Sequence, residues 1–204
     1  MNDDKHFGFM KQYKKIRFLM EHMGLVRYHR PMIAFCEEYF NNGYSFNGDG
    51  DGVVGVEIGC RAGVNAVQII RRLPVSKVFL IDPFVPYYDR AAYTDGQQEF
   101  FRKQFIRNLG PYQDRFHFVQ DYSFNVTHVI PDDLDFCYID GGHHYDEVMK
   151  DISLYYPKIR SGGVIGGHDW NWKEVASAVL DFCREHGLYD DLMGVDPDWW
   201  IVKK

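Results

Sequence analysis

From residue 53 onward, short β-branched runs alternate with stretches long enough for helices, and this alternation restricts the fold more than any other feature of the chain. The runs Val53 to Ile58, Val78 to Ile81, Phe116 to Val119, Leu134 to Ile139 and Val164 to Gly167 read as buried strands. Parallel neighbours need a crossover of a dozen or so residues, usually helical, and the intervening segments have that length. An α/β architecture follows, with helices on both faces of a mostly parallel sheet. The end of the chain departs from the rule. Tyr189 to Val195 and Trp199 to Lys203 are separated only by Asp196-Pro197-Asp198, too short for a crossover, so they are expected to form an antiparallel hairpin at the sheet edge and bring the strands to seven.

Two helices are expected ahead of this unit. Phe9, Tyr13, Ile16, Met20 and Met23 recur at helical spacing with Lys11, Lys14, Lys15 and Arg17 between them. Pro31 suits the first turn of a second helix carrying Ile33, Phe35, Tyr39 and Phe40, because its missing N–H is not needed there. Such helices commonly cover a sheet, and here they also offer a lid or a seam between copies in a homo-oligomer. The run 41–52 collects Asn, Gly, Ser and Asp, so a helical extension and linker, 1–52, is separated from a main domain, 53–204. Asp49-Gly-Asp51-Gly resembles a calcium loop only briefly. Its twelfth position is Cys60, where that loop requires a bidentate glutamate.

Composition removes several functions. The 29 acidic against 23 basic residues leave a net charge of −6, whereas a general nucleic-acid binder needs positive charge to neutralise phosphates. Cys36, Cys60, Cys137 and Cys183 stand far apart without a Cys-x-x-Cys pair, which argues against a zinc ribbon or a disulfide framework. No apolar run approaches the roughly 20 residues that span a bilayer. The expectation is a reduced, cytoplasmic protein that binds neither membrane nor nucleic acid.

In open parallel sheets ligands sit beyond the carboxyl ends of the strands. Acids recur at those ends: Glu57 before Gly59 and Gly63, Asp82 after the second run, Asp121 before Tyr122 and Ser123, and Asp140 after the fourth. Gly59 and Gly63 suit a tight turn that a ligand approaches closely, although glycine turns also join strands to helices for steric reasons alone. Glu57 would repel a pyrophosphate but help hold an ammonium. Asp82 can accept from both hydroxyls of a ribose.

These motifs resemble the class I S-adenosylmethionine-dependent methyltransferases, in the branch that methylates oxygens of small molecules. The resemblance runs over about residues 53–204 and rests on Val-Glu-Ile-Gly-x-x-x-Gly from Val56, Ile-Asp-Pro-Phe from Ile81, Gln-Asp-Tyr-Ser from Gln120, Tyr-Ile-Asp-Gly-Gly-His-His-Tyr from Tyr138 and Ser-Gly-Gly-Val-Ile-Gly-Gly-His-Asp-Trp from Ser161. It implies a three-layer Rossmann-like sandwich. It also implies that S-adenosylmethionine is bound with Glu57, Gly59 and Gly63 around its methionine part, Asp82 on the ribose, Asp121 with Tyr122 or Ser123 beside the adenine, and Asp140 near the transferred methyl, with S-adenosylhomocysteine as product. The usual second glycine of the turn is replaced by Arg61.

The same resemblance implies a catalytic base and a cation. An acid at the position of Asp140 ligates magnesium in that branch and a basic residue three positions later takes the acceptor's proton, which assigns the base to His143 with His144 as the alternative. Imidazole has the side-chain pKa closest to neutrality. Asp169 would be the second ligand; Trp170 follows it where a third ligand is usual, so that the third is either missing or supplied by His168 or Asn171. Magnesium suits the carboxylates, and the nearby histidine would suit manganese or zinc. The small-molecule acceptor would meet Phe84, Tyr87, Tyr88, Arg90 and Tyr93 after the second strand, and Trp170 and Trp172 beside the last loop. A nitrogen acceptor is left open.

Two other readings share parts of this pattern. A nicotinamide-dependent oxidoreductase would also use Asp82, but Glu57, the missing middle glycine and the terminal hairpin speak against it. A non-catalytic nucleoside-binding module would not need Asp140, His143 and Asp169 together. Fold alone decides neither.

Overall fold

A computed structural model describes residues 30–42, 52–86 and 94–204. The expected helix over Phe9 to Met23, the turn-rich run through Asp49 and Asp51, and the loop residues Tyr87, Tyr88, Arg90 and Tyr93 lie outside the described residues. Seven strands form one sheet: β1 (Val53–Ile58), β2 (Val75–Ile81), β3 (Phe116–Val119), β4 (Leu134–Ile139), β5 (Ile159–Gly167), β6 (Met193–Val195) and β7 (Asp198–Val202). Their order is β3-β2-β1-β4-β5-β7-β6. The first five run parallel, and β7 runs antiparallel to both β5 and β6. The hairpin thus inserts its second strand beside β5 and leaves β6 at the edge.

The helices are α1 (Pro31–Asn41), α2 (Val64–Arg72), α3 (Asp95–Leu109), α4 (Tyr145–Tyr155) and α5 (Lys173–Glu185). Successive strand residues point to opposite faces. In β4, Phe136 and Tyr138 join the core beneath α1, α2 and α3, while Cys137 and Ile139 join the core beneath α4 and α5. Trp200 and Trp199 of β7 divide in the same way. The result is a three-layer sandwich.

Strand limits differ from the sequence reading where pairing, not apolarity, decides. Val75 pairs with Val53 and Ile159 with Leu134, so β2 and β5 begin before their apolar runs. At the edge, only Met193–Val195 find partners on β7; Tyr189–Asp191 form a 3-10 turn, with the Tyr189 side chain exposed.

Helix α1 starts at Pro31, as expected, and packs over the β5–β7 region. Its Phe35 ring lies 5.3 Å from that of Trp200, and the Tyr39 hydroxyl donates to the Gly162 carbonyl at 3.2 Å. The fully buried Asp198 carboxylate accepts the Met32 N–H and the Tyr138 hydroxyl, both at 3.0 Å. One strand residue therefore supplies the acceptor that a helix N-terminus needs. This anchor holds Arg30, the residue before α1, at the carboxyl end of the sheet.

The glycines of β5 serve packing. A Cβ at Gly166 would approach the Trp200 Cβ at 2.6 Å and the Met32 sulfur at 2.7 Å. Gly166→Ala is expected to lower stability by about 1–3 kcal/mol through overpacking. Gly96→Ala, on α3 with nothing near its Cβ position, should be neutral or slightly stabilising. Denaturant midpoints of the two variants measure the contrast, and equal midpoints would contradict it.

Candidate active site

The carboxyl ends of β1, β2, β4 and β5 open on a cavity of about 510 Å³. At the end of β1, Glu57 is 0% exposed, and its Oε1 accepts the Asn65 side-chain amide at 2.9 Å. Its Oε2 is buried and has no hydrogen-bond partner among the described residues. Burial pushes the carboxyl up to about 8, against the Asn65 hydrogen bond and with the help of Asp140. A buried carboxylate oxygen with no partner is costly, and its position in a cavity wall makes it an acceptor for a bound cation.

The turn after β1 is shaped by close approach. Gly59 has φ +84°, and a Cβ there would run into the Asp140 backbone. Arg61 adopts φ +46° without being glycine, so the left-handed step expected of a second glycine is taken by an arginine. Its guanidinium lies 4.2 Å from the centre of the Phe101 ring, and its N–H donates to Asp82 Oδ2 at 2.7 Å. Gly63, at φ +71°, precedes α2 and faces Leu109 and Phe105 of α3; it is packing rather than cavity wall. Asp82 also accepts the Phe84 N–H at 2.8 Å through Oδ1. Burial raises its pKa despite these backbone donors.

Beyond β4 and β5 the structure gathers Asp140, His143, His168 and Asp169 at the same cavity. The His143 Nε2 is 2.6 Å from Asp169 Oδ2, and the His168 Nδ1 is 3.0 Å from Asp169 Oδ1 and 3.6 Å from Asp140 Oδ1. Asp169 sits at φ +58°, an uncommon conformation for a non-glycine residue. Burial would raise its pKa, but the hydrogen bonds from His143 and His168 outweigh it and hold the carboxyl well below the usual range. Burial likewise pushes Asp140 up, to about 6, although His168 and Arg30 pull it back; Arg30 Nη2 is 3.3 Å from Asp140 Oδ2. Burial lowers His168, and the Asp169 hydrogen bond together with the charges of Asp140 and Asp169 more than reverses that. The Trp172 ring, 5.1 Å from that of His143, lines the cavity.

The other expected residues fall on both sides of the cavity wall. Tyr122 and Ser123 line it, but Asp121 does not: its carboxylate accepts the Tyr122 N–H at 2.7 Å and the Asn125 amide at 2.8 Å. His144 stands at the N-cap of α4, 3.3 Å from Glu174, outside the cavity lining. The histidine pair is thus split between cap and site. The Trp170 indole packs against Gly194 of β6, and its backbone N–H donates to the Pro197 carbonyl at 2.9 Å. Asn65 and Asp151 were missed by the sequence reading: the first holds Glu57, and the second, on α4, accepts the Ser123 hydroxyl in a short hydrogen bond. Among the described residues, Asp140, His143 and Asp169 each offer a ligand atom within 4.8 Å of the others', and His168, expected in the metal set, stands 3.0 Å from Asp169 and 3.6 Å from Asp140.

Known proteins resemble this chain in sequence and in fold. An uncharacterized protein of Acanthamoeba polyphaga mimivirus is 25% identical over 138 residues, 63% of this chain and 58% of that protein's length. The chain therefore spans less than two thirds of the curated relative that it matches. Among solved structures, the O-methyltransferase NovP superposes with a TM-score of 0.63 at 18% identity, covering 86% of this chain and 82% of its own. The O-methyltransferase TomG of Streptomyces achromogenes, solved with SAM, gives 0.58 at 11% identity over 94% and 89%. Both likenesses show the fold. A family model described as a methyltransferase domain matches residues 56–170, more than half of the chain, and includes Glu57, Asp82, Asp121, Asp140 and Asp169. The protein belongs to this methyltransferase domain family.

Proposed function

We propose that the protein methylates a hydroxyl group of a small molecule, with S-adenosylmethionine as donor. The observation that carries this reading is the unpartnered Glu57 Oε2, buried in the wall of the cavity that Asp82, His143 and Asp169 also line. S-adenosylmethionine, when bound, supplies a methyl carbon on a positively charged sulfur that leaves as a neutral thioether. Glu57 meets the cationic amino-acid end, and Asp82, its carboxylate aimed by the Arg61 and Phe84 N–H groups, accepts the ribose hydroxyls. His143 takes the acceptor's proton. With Nε2–H donated to Asp169, its Nδ1 keeps a lone pair, and the carboxylate stabilises the imidazolium that forms. Trp172, against the His143 ring, gives the acceptor a flat wall.

Asp140, His143 and Asp169 also fit a divalent cation, since each offers one ligand atom and the set mixes carboxylate oxygens with an imidazole nitrogen. Such an ion would polarise an acceptor oxygen and lower its pKa. The cation and the proton-accepting role compete for His143. Exhaustive chelation followed by readdition of magnesium, manganese or zinc separates them: turnover lost and restored by one ion, with donor binding unchanged, assigns the trio to a metal, and full turnover after chelation leaves His143 as the base.

Equilibrium dialysis with S-adenosylhomocysteine and, in parallel, NAD tests the donor. One site for the former and none for the latter is expected; the reverse would overturn the reading. Turnover, followed as S-adenosylhomocysteine release across a panel of phenols and sugars, is expected to fall about 10²–10⁴-fold in His143→Ala with donor affinity nearly unchanged. Asp82→Asn should instead weaken donor binding by about tenfold or more. Equal losses of both quantities in either variant would contradict the assigned roles.

A further inference from the structure

Arg30 and Arg61 are among the described residues that line the cavity, and they face different things. The Arg61 guanidinium lies over the Phe101 ring, whereas Arg30 reaches the carboxylates. Its Nη2 stands 3.3 Å from Asp140 Oδ2, and the two side chains are only 22% and 19% exposed. The same positive charge favours the ionised forms of Glu57 and Asp198 and disfavours a protonated His168. Its place is fixed by the backbone. Pro31 opens α1 directly after Arg30, and the Met32 N–H is held by the buried Asp198 carboxylate at 3.0 Å. Arg30 is therefore a charge on an anchored stem and not one that swings freely with the solvent. Asp140 is at the same time one of the three residues, with His143 and Asp169, whose ligand atoms lie within 4.8 Å of one another. A divalent ion drawn to those atoms comes within a few ångströms of the guanidinium, and like charges repel strongly at that range in a partly desolvated site.

We propose that Arg30 is a built-in competitor of the divalent cation: its guanidinium sits on Asp140 as a tethered surrogate cation, and an ion binds the trio only against that charge. The inference rests on the reading of Asp140, His143 and Asp169 as a cation set given above. It makes the residue before α1 a determinant of cation loading although it ligates nothing. The protein's own groups balance both carboxylates, Asp140 through Arg30 and Asp169 through His143 and His168. Loading is thereby tied to the docking of α1, because the Asp198 anchor that holds the helix start also holds the competing charge in place.

Titration of the full chain with Mn²⁺ alone, the free ion being counted by electron paramagnetic resonance, tests this without reference to turnover. At pH 8, above the Asp140 carboxyl at about 6, that carboxylate stays ionised and its protonation does not mask the effect. Arg30→Met keeps an unbranched stem without the charge and is expected to bind the ion at least about tenfold more tightly than the wild-type protein. Arg30→Lys retains the charge and should stay within about threefold of wild type. Asp140→Asn added to Arg30→Met should abolish the gain, which locates the ion at the trio. Equal affinities in the wild-type protein and Arg30→Met, weaker binding in Arg30→Met, or an equal gain in Arg30→Lys would overturn the inference and leave the cation set intact. Absence of bound Mn²⁺ in the wild-type protein and in Arg30→Met alike would overturn both.

Discussion

Four strand ends bring negative charge to one place, and the protein balances only part of it. Glu57 is buried with one oxygen unpartnered among the described residues, Asp82 is held by backbone N–H groups, and Asp140 shares its charge with Arg30 and His168. Parallel topology enforces this convergence, because every strand from β1 to β5 ends on the same side. A site built this way is poor at holding phosphates and suited to a cation that loses its charge on reaction. The positive sulfur and ammonium of the proposed donor are such groups. The glycine turn after β1 then serves close approach, with Asp140 backbone directly opposite Gly59.

The other half of the site depends on an anchor some distance away in sequence. Asp198 accepts the Met32 N–H and the Tyr138 hydroxyl, tying the start of α1 to the hairpin and to the central strand β4. Arg30 is placed beside Asp140 as a consequence. On the opposite side, the strained backbone at Asp169 turns its carboxylate toward His143 and His168. Stability and chemistry therefore share residues, and the segment before β1 contributes to both.

Much of this was legible from local pattern. Apolar runs located the strands, the short Asp196-Pro197-Asp198 link predicted the hairpin, and Pro31 marked the start of α1. Acids at strand ends identified Glu57, Asp82 and Asp140 as cavity residues. What escaped was settled by tertiary contact. Nothing local says that Asp121 turns away to Tyr122 and Asn125, or that Asn65 folds back on Glu57. Two features did carry an unused signal. His144 stands three residues before Glu147, the spacing of a capping box, which distinguishes it from His143. Asp151 falls between Val148, Ile152 and Tyr155 at helical spacing, so a carboxylate was already placed on a buried stripe.

The central claim is that Glu57 waits, largely protonated, for a cationic ligand. With its carboxyl pushed up to about 8 by burial, the protonated form is favoured at pH 7. A neighbouring ammonium would lower that pKa, so binding must expel the proton, and affinity must rise with pH toward 8 as less proton remains to be displaced. Calorimetric titration with S-adenosylhomocysteine at pH 7, repeated in buffers of different ionisation enthalpy, counts the protons directly. Net proton release on binding is predicted for the wild-type protein and almost none for Glu57→Gln. Binding without proton release in the wild-type protein, or equal release in the variant, would contradict it.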